Sequence, residues 1–101
     1  MMRIIAGPRC SGKTTALIQE SAETGVPIIA PSMAMANYIK MIAKEQGMDI
    51  PEPTSINKIV NHGGRPGEYL IDEVEMCLRQ LGINPIAVTM WDGSDAKARE
   101  W

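Results

Sequence analysis

The chain has 101 residues and a net charge of −2, so one domain over residues 1–101 is expected, with a radius of gyration of about 13 Å. That balance lacks the basic excess of an obligate nucleic-acid binder, and no apolar run approaches the ~18 residues that would span a membrane. Two cysteines, Cys10 and Cys77, make no disulfide framework, and the N-terminus carries no apolar leader, which points to a reducing, cytoplasmic setting.

In chain order, Arg3-Ile4-Ile5-Ala6 is a short apolar run expected to form a strand. Gly7 to Thr14, GPRCSGKT, follow it and fit the spacing G-x-x-x-x-G-K-[ST]. In that pattern a glycine-rich turn points successive backbone N–H groups inward around a phosphate, and the helix behind it adds its positive end. Lys13 reaches the β- and γ-phosphates, and the Thr14 hydroxyl is a Mg²⁺ ligand. The expected cradle is Gly7, Pro8, Arg9, Cys10, Ser11, Gly12, Lys13, Thr14 and Thr15. Cys10 occupies a position that the pattern leaves free. A helix from Lys13 to Glu23 is rich in helix formers, and Gly25 is its C-terminal stop.

Val26 to Ala30 (VPIIA) reads as a buried parallel strand. Pro31 breaks it and Ser32 is placed to cap a helix reaching about Gln46, with Met35, Ile39 and Ile42 facing the sheet. Gly47 ends that helix. Thr54-Ser55 start a short helix through Ile59 and Val60, and Asn61 to Gly67 (NHGGRPG) are a loop. Tyr69-Leu70-Ile71 form the next strand. Glu73 to Leu81 are a helix with Val74, Cys77, Leu78 and Leu81 on one face. Pro85 to Met90 (PIAVTM) are the last strand, and the tail holds one short helix capped by Ser94. With eight Met and no Phe, the core is soft and adaptable.

The apolar strand Tyr69–Ile71 ends in Asp72-Glu73. Mg²⁺ bound to a nucleotide needs carboxylate help, normally through water, and Asp72 is the candidate for that role. Glu73 is the candidate to polarise the water that attacks the γ-phosphate.

Taken together, GPRCSGKT, IIAPSMAMANYI, PTSINKIV and YLIDEVEMCL resemble the first half of the motor core of superfamily-one DNA helicases, which are P-loop NTPases of the additional-strand, catalytic-glutamate type. The resemblance covers about residues 2 to 90. It implies an α/β fold: a three-layer P-loop NTPase core with a short, mostly parallel four-stranded sheet and helices on both faces. The phosphate-loop strand and the Asp-Glu strand would be separated by the last strand. It further implies Lys13 and Glu73 as catalytic residues, Thr14 and Asp72 as metal ligands, and ATP with Mg²⁺ as cofactors. By the same resemblance Ser32, and more faintly Thr54, would touch the phosphates of single-stranded DNA, against the plainer role of Ser32 as a helix cap.

Two departures from that family change the expectation. Thr89 stands where the family has a polar sensor, but no glutamine follows it in Val88-Thr89-Met90-Trp91. The second motor domain with its arginine finger is absent, so slow ATP hydrolysis, stimulated by DNA or by a partner, is expected in place of helicase activity. Arg65, Arg79 and Arg99 are candidates for an arginine supplied to a neighbouring subunit, in a homo-oligomer or by a partner protein. The alternative is a nucleotide-binding regulatory or structural module that scarcely hydrolyses its ligand. A small-molecule kinase is opposed by the lack of an arginine-rich lid. His62 is expected to face solvent, and Trp91 and Trp101 to pack at a sheet edge or a contact surface. A phosphate-loop domain of this size suits a phage or prophage, which would place it in the host cytoplasm.

Overall fold

The computed structural model describes residues 3–7, 12–61 and 67–89. Helix α1, Lys13–Thr24, opens behind Gly12 and closes on Gly25, whose φ of 73° lets its N–H turn back onto the Ser21 carbonyl. Ser21 is buried, and its hydroxyl donates to the Val26 carbonyl at 2.7 Å, tying the helix end to the chain that enters the sheet. Strand β1, Ile28–Ala30, is buried at all three residues. Ser32 then caps α2, Met33–Glu45, by accepting from the Met35 N–H at 3.2 Å.

The remaining elements are short: β2, Thr54–Ser55; α3, Ile56–Asn61; β3, Leu70–Ile71; and α4, Val74–Gln80. The sheet is parallel with the order β2-β1-β3. Ile29 pairs with Thr54 on one side and with Ile71 on the other, so β1 is the central strand. Parallel pairing needs a crossover between strands, usually a helix, and the βαβ succession of the sequence supplies it.

The core lies between the sheet and the first two helices. Ile18 of α1, Ile28 and Ala30 of β1, and Ala36, Ile39 and Ala43 of α2 form one buried cluster. Ile28 and Ala30 share a strand face by the period of two, and Ile29 on the opposite face is only 3% exposed, so the central strand is covered on both sides. Met35, Ile42 and Leu70 pack at the margin of the cluster. The expected sheet-facing stripe Met35, Ile39, Ile42 is therefore present on α2, widened by two alanines.

The sheet of the described residues has three strands where four were expected. Residues 3–6 form no strand, and Ile4 and Ile5 are exposed. Both edges of β1 are already taken, and Arg3 pairs instead with Glu20, holding this segment against α1. Residues 85–89 are likewise not a strand; Ile86 is fully exposed and Val88 is 71% exposed. Thr54 and Ser55, expected to begin a helix, form β2 because they pair with Ile29 and Ala30. Ser55 nonetheless caps α3, accepting from the Lys58 N–H at 3.2 Å. On α4 only Cys77 of the expected apolar face is buried, while Val74 and Leu81 are exposed, since among the described residues no strand flanks β3 on its outer side. His62, Arg65, Arg99, Trp91, Trp101 and the tail helix lie outside the described residues.

Candidate nucleotide site

Gly12 stands at φ 84°, ψ 14°, a left-handed conformation that glycine adopts without steric cost. It precedes α1 as a cap with no side chain, so the cap residue offers no oxygen to the N–H groups of the first turn, and no acid stands in that turn. The first N–H groups of a helix have no partner inside it, and the helix dipole places partial positive charge there. The start of α1, with Lys13, Thr14 and Thr15 half-buried along it, is thus a positive end without a capping side chain on Gly12 or an acid in its own first turn, on a helix of 12 residues. Gly7 is exposed at the other end of the motif. Pro8, Arg9, Cys10 and Ser11 lie outside the described residues.

The Lys13 ammonium donates to the Gly7 carbonyl at 2.6 Å. It also stands 3.9 Å from Glu73 Oε1. The motif at the start of the chain and the Asp-Glu pair at the end of β3 are therefore neighbours in space. The sheet arranges this meeting: Asp72 leaves β3 with its N–H on the Ile29 carbonyl at 2.9 Å, which fixes where the strand ends.

Asp72 is 6% exposed. Burial pushes its carboxyl above the ordinary carboxylate range, repulsion from Glu73 adds to this, and Lys13 pulls the other way. A buried acid of this kind gains from a cation beside it. Glu73 takes φ 55°, the one positive value outside glycine among the described residues. Two donations from one residue hold this turn: the Cys77 N–H reaches the Glu73 carbonyl at 3.0 Å, and the Cys77 thiol reaches the Asp72 carbonyl at 3.4 Å. Burial, followed by Asp72 and Glu73, raises the thiol to about 11, so it stays a neutral donor.

Sequence reasoning named Lys13, Thr14, Asp72 and Glu73 but missed the Gly7 carbonyl as the lysine's acceptor and Cys77 as the brace of the turn. A carbonyl carries no side-chain signal, and a buried cysteine at helical spacing reads as core. Of the remaining candidates, Ser32 is engaged as a helix cap, Thr54 lies half-buried in β2, and Thr89 is exposed. Arg79 is bound to Glu75 at 3.0 Å, one turn back on α4. An open groove of about 360 Å³, lined by Lys40, Lys44, Met48 and Ile50 among others, shares no residue with this site.

The donors expected for Mg²⁺ are the Thr14 hydroxyl and the Asp72 carboxylate. Among the described residues no group of three or more His, Cys, Asp or Glu is arranged around a metal position. Two hard oxygen donors still suit Mg²⁺, which is held by one or two protein ligands together with substrate phosphates and water. Comparison with family models, with curated proteins and with solved structures gave no match. Among the described residues no helix is long and apolar enough to cross a membrane.

Proposed function

We propose that the chain is a P-loop nucleotide-binding domain that binds ATP with Mg²⁺ and hydrolyses it slowly. One juxtaposition carries this reading: an uncapped helix start behind a left-handed glycine, whose lysine meets the acidic end of a neighbouring parallel strand. The positive helix end and Lys13 would take the phosphates, while Thr14 and Asp72 would hold the metal. Bound there, Mg²⁺ would neutralise charge developing on the phosphate oxygens. Glu73, exposed and adjacent to Asp72, would orient water.

In its finer form the fold proposed is the four-stranded core. The outer edge of β3 would receive residues 85–89, whose apolar side chains are exposed, and Arg3–Ala6 would follow beyond them.

The two described arginines, Arg3 and Arg79, are each paired with a glutamate, so neither is offered to a transition state. That favours two conclusions. Either turnover draws on an arginine from another copy, a partner protein or single-stranded DNA contacts, or the chain is a nucleotide-holding module. Phosphate release from ATP, measured for wild type and Glu73→Gln with and without single-stranded DNA, separates them. The ATPase reading expects release that rises with DNA and disappears in the variant. Tight ADP binding with background release in both proteins would favour the module. If the amide signals of residues 12–15 do not move at millimolar ADP, both readings fail.

A further inference from the structure

Lys13 is not waiting free for an anion. Its ammonium has three protons to place. One goes to the Gly7 carbonyl, and the Glu73 carboxylate stands within ion-pair distance. Its side chain is 27% exposed, so the charge is partly withdrawn from water and leans on these protein groups. The glutamate, for its part, stands on a backbone conformation that a non-glycine residue rarely takes, in a turn to which Cys77 makes two donations. A phosphate arriving at the start of α1 meets a lysine already engaged and a carboxylate of its own sign.

From this contact we infer that Glu73 is a competing counter-ion: in the nucleotide-free chain it holds Lys13, and phosphate binding proceeds by exchanging Glu73 for the anion. The inference rests on the phosphate-binding reading above and adds a regulatory role for its glutamate. A group placed to orient water thereby also restrains binding until a phosphate of sufficient charge is present. Release of Glu73 from Lys13 would then coincide with arrival of the γ-phosphate beside it, so the carboxylate becomes available when there is a substrate to act on.

The test uses the full chain and two variants. Glu73→Gln removes the charge at constant size. Glu73→Asn also removes it, with a residue that tolerates the left-handed backbone. Trace labelling with acetic anhydride, without nucleotide, reads the reactivity of Lys13 against Lys40 and Lys44 in the same molecule. Both variants are expected to label Lys13 faster, by up to about fivefold, the most that a partly exposed ion pair carries. Calorimetric titration with MgADP and with pyrophosphate is expected to show affinity tighter by a similar factor in both. Unchanged Lys13 labelling in both variants overturns the inference. Faster labelling with equal or weaker affinity overturns it too, because Lys13 would then be held without restraining the ligand. Faster labelling with no binding in any of the three proteins overturns the phosphate-binding reading, and the exchange with it, while leaving the ion pair itself demonstrated.

Discussion

Cys77 links burial, a weak donor and a strained turn in one residue. Its thiol, raised to about 11 from an ordinary 9.0, keeps its proton in the folded chain at a pH where the unfolded chain has begun to lose it. The folded state therefore binds more protons between those two values, and stability must fall as pH rises through that window. Below pH 9 the contribution is fully present. Urea unfolding of wild type and Cys77→Ala at about pH 8 and about pH 11 checks this: wild type should lose roughly 2 kcal/mol more than the variant across that interval. An equal loss in both proteins would mean that the thiol is not shielded as the structure has it. The variant also removes the donation to the Asp72 carbonyl, while the backbone bond to Glu73 persists.

At the scale of elements, the first two helices and β1 carry the stability and α4 carries little. Ile39 is wholly buried in the central cluster, whereas Met41, two residues on, lies half in solvent. Ile39→Ala removes atoms from close-packed surroundings and is expected to cost about 2–5 kcal/mol. Met41→Ala should stay within about 0.5 kcal/mol, as surface changes do. Thermal or urea midpoints of the two variants measure the contrast. Similar losses would mean that α2 presents a different face to the sheet. α1 and α2 have clear local instructions: apolar spacing, a capping serine before Met33, and glycine at each turn. β2 has none. Thr54 and Ser55 carry polar side chains that suit a helix start, and only the pairing with Ile29 and Ala30 makes them a strand.

For the whole molecule, the radius of gyration is 14.7 Å, with extents of 45 × 27 × 27 Å, more extended than the ~13 Å of a rounded domain of this length. Most of the exposed large apolar residues fall at the two ends of the described chain, Ile4 and Ile5, then Ile71, Val74, Met76, Leu81, Ile83, Ile86 and Val88, with Tyr38, Met41 and Val60 between them. Ile71 marks the boundary. Leu70 and Asp72 direct their N–H groups to β1, so the N–H of Ile71 points to the outer side. The proposed four-stranded core makes that amide a ladder donor. Hydrogen exchange should then show the Ile71 amide slowed by about 100-fold or more, with the protection lost in Val88→Pro and retained by β1. Exchange of Ile71 at the rate of an open amide would leave the sheet at three strands. Protection that grows with protein concentration would assign the edge to a second copy.

The sequence by itself determined what neighbouring residues decide among themselves. It marked the glycine that turns left-handed before Lys13, the extent of α1, the serine cap and buried stripe of α2, and the apolar run that becomes the central strand. These are local interactions, written at spacings of one to four residues. Tertiary structure alone decided that Lys13 reaches the Gly7 carbonyl, that Glu73 turns left-handed, that Cys77 braces the turn, and that Thr54 and Ser55 pair as a strand. Each of those depends on which strand edges are already paired and how much water is excluded between distant segments, and neither quantity is carried by any short stretch of chain.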